Sequence, residues 1–289
     1  MHKVLKPSQF RMDKYMYFGT PYIARDTLAL LVEKELVPEA VITSPDAPRG
    51  RGLVLTPSET KEWACAHDIP VHAFEKLDSA ALGRVASYGA DYAIVVAYGK
   101  ILPQSVIDLF PKGVLNVHYS LLPKYRGASP VESALLAGDT TTGVSIQKMV
   151  YKLDAGDVIA STETAISPDE TTRELRPRLV TLGAELLLSV LPPYLDDLLQ
   201  GVPQNESEAT RCKKIDKKDG ELDLDGDSLR NWNKYRAYAE SPGTYFYVVK
   251  GDRNIRVKII TATFTDGVFT PDRVVPEGKK EMAYTALVH

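Results

Sequence analysis

The run Asp91-Tyr-Ala-Ile-Val-Val-Ala-Tyr98 constrains the fold most strongly. It is apolar almost without interruption, so a strand built from it has no polar face to give to solvent. Strands of that kind belong to parallel sheets covered by helices on both sides. The flanking sequence agrees. Tyr15-Met-Tyr-Phe18 reads as a first strand and Gly19-Thr-Pro21 as the turn after it. Arg25 to Leu36 then places Leu28, Leu31, Val32 and Leu36 on one helical face. Ala40-Val-Ile-Thr43 is a second strand, Ser58 to His67 is helical, and Pro70-Val-His72 begins a short extended piece. Pro103 to Phe110 suits a short helix with proline in its first turn, and Gly113 to Val117 is the next strand. Strands alternating with helices imply βαβ units and an α/β class.

Beyond Gly143 the pattern changes. Gly143-Val-Ser-Ile-Gln-Lys-Met alternates, and Asp157 to Ile166 follows after a short gap, as an antiparallel extension of the sheet would. Leu175 to Leu199 is helical, with interruptions expected at Pro177 and at Pro192-Pro193. A polar stretch with Gly201 and Pro203 marks residues 201–209 as a linker. The expected organisation is a catalytic domain over 14–200 and a small β domain over 210–289. The runs Thr244-Tyr-Phe-Tyr-Val-Val and Ile255-Arg-Val-Lys-Ile-Ile suggest an OB-like barrel for the latter.

Composition narrows the function classes. The net charge is −3 and charged residues make up 25%, which gives no strong electrostatic case for nucleic acid. No run of about 18 apolar residues offers a membrane span. Met1 to Lys14 has no apolar core of signal-peptide type, so a cytoplasmic protein is expected. Cys65 and Cys212 are the two cysteines and have no paired spacing. That argues for a reducing compartment and against a cysteine-based metal site; no metal is expected.

The chemistry concentrates in Asn116-Val-His-Tyr-Ser-Leu-Leu-Pro123 and Leu153-Asp-Ala-Gly-Asp157. Asn116 and His118 are two residues apart, so in a strand both side chains point the same way. They stand at the carboxyl end of a buried strand, where open parallel sheets bind ligands. A lone buried histidine is most often structural, but here a turn carrying Asp154 follows. The three side chains suit acyl transfer without a covalent enzyme intermediate. An amide stabilises an oxyanion, an imidazole moves a proton, and a carboxylate holds the ring and favours its charged form. No nucleophile elbow is present, so attack is expected from a second substrate. Pro45-Asp-Ala-Pro-Arg-Gly-Arg-Gly52 reads as a surface loop, or as a phosphate-binding loop with Arg49 and Arg51 as forks.

Taken together these segments closely resemble the methionyl-tRNA formyltransferases. The resemblance rests on Phe-Gly-Thr-Pro at 18–21, Pro-Asp-x-Pro-x-Gly-Arg-Gly at 45–52 and Pro-Ser-x-x-Lys at 57–61. It continues with Val-Val-Ala-Tyr-Gly-x-Ile-Leu-Pro at 95–103 and Asn-Val-His-x-Ser-Leu-Leu-Pro-x-x-Arg-Gly-Ala at 116–128. Ala-Gly-Asp at 137–139, Leu-Asp-x-Gly-Asp at 153–157 and Lys-Lys-Asp-Gly-Glu-Leu-Asp at 217–223 complete it. The resemblance implies a formyltransferase-type, Rossmann-like domain followed by an OB-like domain. It implies transfer of formyl from 10-formyltetrahydrofolate to the amino group of methionyl initiator tRNA, by a monomeric enzyme. Asn116, His118 and Asp154 would be the catalytic trio. Ser120, Leu121, Leu122 and Pro123 would line the folate site, the backbone of Val96, Ala97 and Tyr98 would hold the pterin, and Arg49 and Arg51 would meet tRNA. The family pattern has glycine where this chain has Tyr119, which is expected to narrow the site or shift its loop. Leu53 and Val54 stand where the pattern is basic. A sugar-nucleotide N-formyltransferase using the same donor and trio, and a binding protein without turnover, are the alternatives.

Overall fold

The computed structural model describes residues 13–50 and 52–288. Arg51 lies outside the described residues. In chain order the elements are β1 (Tyr15–Gly19), α1 (Tyr22–Glu33), β2 (Ala40–Thr43), β3 (Ala47–Arg49), β4 (Val54–Thr56), α2 (Glu59–Ala66), β5 (Val71–Ala73) and α3 (Ser79–Ala86). They continue with β6 (Tyr92–Val96), α4 (Gln104–Ile107), β7 (Val114–His118), β8 (Arg126–Gly127), α5 (Pro130–Ala137), β9 (Thr141–Lys148), β10 (Val158–Ala165) and α6 (Thr172–Leu195). The last are β11 (Arg211–Cys212), α7 (Ser228–Ala237), β12 (Tyr245–Lys250), β13 (Arg253–Thr265), β14 (Val268–Pro276), β15 (Met282–Ala283) and α8 (Thr285–Val288).

Seven strands form one sheet in the order β10-β9-β7-β6-β1-β2-β5. β1 pairs in parallel with both β2 and β6, and β6 in parallel with β7. From β1 the chain winds outward to β2 and β5, then returns to β6 on the other side. The crevice between the carboxyl ends of β1 and β6 is therefore a switch point, the place where such sheets bind ligands. Every residue of β1, β6 and β7 is buried, as the apolar run predicts. β9 then pairs antiparallel with β7, setting Asn116 opposite Gln147 and His118 opposite Ser145.

The core on one side of the sheet gathers around Phe18. Its ring meets Tyr98 edge-on at 5.5 Å and Phe110 edge-on at 6.2 Å between centroids. Edge-to-face packing of that kind adds to plain burial. On the other side, Gly183 of α6 sits so close to the sheet that a Cβ there would lie 2.9 Å from Val117 Cγ1 and 3.3 Å from Val144 Cγ1. A helix can approach strands that closely only without a side chain at the contact.

Three local readings change. The 45–52 loop belongs to a hairpin, with β3 paired antiparallel to β4. Pro48 is compatible with it because a two-stranded ribbon consists of edges, where a missing N–H costs little. α3 was not read from the sequence. α6 runs unbroken through Pro177, Pro192 and Pro193. Pro177 lies in the second turn and removes a single helical bond, while Leu175, Leu179, Val180, Ala184 and Leu187 bury its face. The 24-residue helix is long and apolar enough to cross a bilayer, but half of its most apolar stretch is buried within the protein, as a core helix would be.

The chain divides into two compact units that interleave along the sequence. The first takes residues up to Gly127, Gly143–Glu163 and Pro177–Arg211; the second takes Ala128–Thr142, Thr164–Arg176 and everything from Cys212. The second unit thus draws two segments from the span 14–200. Within it α5 packs on α7, and Arg176 bridges Glu132 and Glu240. Its antiparallel sheet, ordered β12-β13-β14-β15, buries Phe246, Val257, Ile259 and Val274 with Trp232 of α7. The Trp232 ring stacks on Phe264 at 5.9 Å, and its indole N–H donates to the Pro168 carbonyl at 3.3 Å.

Phe18→Ala should cost about 3–5 kcal/mol, the usual toll for an aromatic cavity that a rigid sheet cannot collapse. Urea unfolding followed by circular dichroism measures it. A loss under about 1 kcal/mol would mean that Phe18 is not the centre of this core.

Candidate active site

The site grows from the last three residues of β7. Alternation along the strand sends Asn116 and His118 to one face and Val117 and Tyr119 to the other. Asn116 is 8% exposed and His118 5%. Tyr119 does not narrow the site. Its hydroxyl shares a hydrogen bond with Thr27 of α1 at 3.2 Å, on the face opposite His118.

Asp154 reaches these groups from the turn between β9 and β10. Its backbone is left-handed, with φ of 47°, a conformation aspartate tolerates better than most residues. Two residues on, a Cβ at Gly156 would lie 1.8 Å from the Lys148 carbonyl oxygen, so the turn admits no side chain there.

A carboxylate largely removed from water needs donors, and Asp154, with its side chain 10% exposed, has two good ones. The Gly127 backbone N–H donates to Oδ2 at 2.8 Å and the Gln147 side-chain amide to Oδ1 at 3.0 Å. Asn116 Nδ2 lies 3.5 Å from the same Oδ1, and His118 Nδ1 lies 3.8 Å from it. The last distance makes an ion pair if the ring is charged, but not a hydrogen bond. What orients the imidazole is the Tyr125 carbonyl, which is 3.0 Å from Nε2. A carbonyl only accepts, so Nε2 carries hydrogen. In the neutral ring Nδ1 is then the basic nitrogen, and it is the one that faces Asp154. Tyr125 itself has φ of 59°.

Gln147 is the functional neighbour that the sequence reading missed. Its signal was present in the alternation of 143–148, where a polar residue recurs on the face of Ser145. The pairing that sets it beside Asn116 depends on a register between strands separated by 23 residues, from His118 to Thr141.

The proposed folate-lining residues fall into two groups. Ser120 to Pro123 continue directly from β7 and are pinned by Ser145. The Ser145 hydroxyl donates to the Ser120 carbonyl at 2.8 Å, and the Leu122 N–H donates to that hydroxyl at 3.0 Å. Leu121 packs over Gly143, where a Cβ would be 2.5 Å from Leu121 Cδ2. Val96 ends β6, and Ala97 is left-handed with φ of 45°. The Tyr98 carbonyl accepts from Thr20 Oγ1 at 3.0 Å. The Tyr98 side chain turns into the core, and burial lifts its phenol to about 12. Its buried hydroxyl has no hydrogen-bond partner among the described residues.

Arg49 is placed less openly than the loop reading suggests. Both of its terminal nitrogens engage Glu59, and this bonding holds the Glu59 carboxyl below its ordinary range. A phosphate would have to displace a surface pair worth about 0–1 kcal/mol. Arg126 is 2% exposed, and its Nη1 donates to Glu206 Oε1 at 2.9 Å. It is a buried strut within the first unit.

Against known proteins, the family described as formyl transferase matches residues 17–191. The methionyl-tRNA formyltransferase of Bdellovibrio bacteriovorus is 41% identical over 252 residues, covering 86% of this chain and 78% of that one. That of Staphylococcus epidermidis is 34% identical over 296 residues, covering 95% of each. Among solved structures, methionyl-tRNA formyltransferase from Clostridium thermocellum superposes with a TM-score of 0.61 at 15% identity, covering 92% of this chain and 99% of that one. An N-formyltransferase from Helicobacter canadensis, in complex with folinic acid and dTDP-3-aminofucose, superposes with a TM-score of 0.65 at 19% identity, covering 94% and 99%. At those identities the two structures share the fold.

Tyr98→Phe should leave folate-analogue affinity unchanged and thermal stability equal or higher, because it removes a buried hydroxyl without a partner. Calorimetric binding and a melting curve test both. A clear loss of affinity would mean that the phenol reaches the ligand.

Proposed function

The chain belongs to the methionyl-tRNA formyltransferases, within the formyl transferase family, and we propose that it carries a formyl group from 10-formyltetrahydrofolate to the amino group of methionyl initiator tRNA. The observation that carries this reading is the meeting of Asn116, His118 and Asp154 at the carboxyl end of β7. The sequence relatives over most of the chain favour the tRNA acceptor over an amino sugar. The cytoplasm, where translation begins, is the compartment that goes with this activity.

The reaction forms a C–N bond between the methionyl nitrogen and the formyl carbon, and breaks the bond from that carbon to N10 of the folate. One proton must leave the attacking nitrogen and one must reach N10. The amine attacks as the neutral base, and the carbonyl oxygen becomes an oxyanion. Asn116 Nδ2 is the donor for that oxyanion. Such a donor gains strength as charge develops and so favours the transition state over bound substrate. His118 takes the amine proton on Nδ1 and passes it toward N10, while Tyr125 keeps Nε2 protonated. Asp154 faces the imidazolium that forms. Gly127 and Gln147 hold the carboxylate in place, each donating to one of its oxygens. Ser120, Leu121, Leu122 and Pro123, with the Val96–Tyr98 backbone, form the donor's walls. Arg49 and Arg51 meet the tRNA. The catalytic work falls to 14–200 and acceptor contact extends to 210–289. No metal enters, and one chain suffices.

Asn116→Ala and Asp154→Asn should each lower kcat by about 100-fold or more, with donor affinity nearly unchanged, since both act on charge that exists only in the transition state. Single-turnover formylation on acid-urea gels, beside calorimetry with a folate analogue, measures this. A near-normal rate in either variant defeats its assigned role.

Arg51→Ala should raise KM for methionyl-tRNA and lower the log–log salt slope of binding by about one, as expected when one phosphate contact is lost. Formylation at several salt concentrations measures it. Identical salt curves for variant and wild type would remove Arg51 from the tRNA contact.

A further inference from the structure

We propose that Gln204 is a positioning residue for the reaction, acting through Asp154; this rests on the function proposed above. Gln204 lies in the stretch that reads from sequence as a linker, yet its side-chain amide gives both of its hydrogens to the catalytic turn. Its amide Nε2 donates one hydrogen to the Asp154 carbonyl at 2.9 Å and the other to the Gly156 carbonyl at 2.7 Å. Its Oε1 accepts from Arg126 Nε at 3.0 Å. The two carbonyls flank the bend at which Asp154 is left-handed and Gly156 has no room for a side chain. One amide therefore clamps the strained turn from both ends.

The clamp is anchored to the other half of the site. Arg126 stands between the two backbone groups that hold the trio: the Tyr125 carbonyl, on His118 Nε2, and the Gly127 N–H, on Asp154 Oδ2. The same tripeptide is braced by Thr210, which accepts from the Tyr125 N–H on Oγ1 at 2.8 Å and from the Arg126 N–H on its carbonyl at 2.9 Å. Glu206 ties Arg126 to Lys152, the latter at 2.9 Å. Residues 204–210 thus fix two segments with respect to each other, the one presenting Asp154 and the one orienting His118. Arg126 would otherwise be a guanidinium buried beside fewer acceptors, and a buried charge retains its place only when paired.

A residue with this role alters turnover rather than substrate affinity, because a shift of about 1 Å in a catalytic group costs up to about 100-fold in rate. Gln204→Leu and Gln204→Met, which keep the volume and lose every hydrogen bond, are compared with wild type in formylation of methionyl-tRNA. The expected result is a fall in kcat of about 10- to 100-fold, with KM for the donor within about twofold. Residues acting as a unit are non-additive, so in an Asp154→Asn background Gln204→Leu should cost less than about twofold more. A role confined to stability predicts the opposite: equal fractional losses in both backgrounds. Full additivity, or a kcat for Gln204→Met within twofold of wild type, would overturn the proposal even with wild type active. An inactive wild type would overturn the proposed function, and this inference with it.

Discussion

The site depends on how one carboxylate is held. The Asp154 side chain is largely removed from water, and a carboxylate in that position needs hydrogen-bond donors. The donors are a backbone N–H at Gly127 and a side-chain amide at Gln147. Neither donor is a cation that could leave or exchange, and His118 Nδ1 lies 3.8 Å from the same carboxylate. Much of the surrounding architecture follows from this arrangement. β9 must run antiparallel beside β7 to bring Gln147 opposite Asn116, and the turn after it must bend through a left-handed residue to swing the carboxylate inward.

The sheet supplies the second condition, which is rigidity. Asn116 and His118 are consecutive same-face positions on a strand buried along its whole length. Their separation is fixed by the pleat and not by loop packing, which is the way precise sites are best supported. The loops carry what must adapt. The hairpin β3–β4 exposes Leu53, Val54 and Leu55 at 66% or more, and it lies outside the seven-stranded sheet.

Much of this was legible in the sequence, for identifiable reasons. The buried parallel strands announced themselves because 92–96 is apolar on both faces and 113–115 is apolar as well. Asn116 and His118 were visible because their spacing is local, two residues on one strand. Asp154 was visible because its turn chemistry, Leu-Asp-Ala-Gly-Asp, is distinctive. Gln147 and Gln204 were not, because their roles rest on strand register and on a chain return over 50 residues. The effect of Tyr119 was misjudged by face: a residue between two inward ones must point outward. The prolines of α6 misled because propensity is a local penalty, whereas that helix is held by the burial of its apolar side.

The interleaving of the two units bears on how the chain is made. The second unit needs Ala128–Thr142 and Thr164–Arg176, but its remaining part starts only at Cys212. On the ribosome those two segments emerge long before the tryptophan and the strands they belong with. Until synthesis reaches β14 and β15, α5 lacks its partner helix or that helix lacks its sheet. Until α7 is made, the apolar residues Val131, Ala134 and Leu135 of α5 lack that partner helix. Co-translational folding of this protein is thus a problem of waiting: the first unit can close most of its sheet early, while the second completes only when the last strands are released.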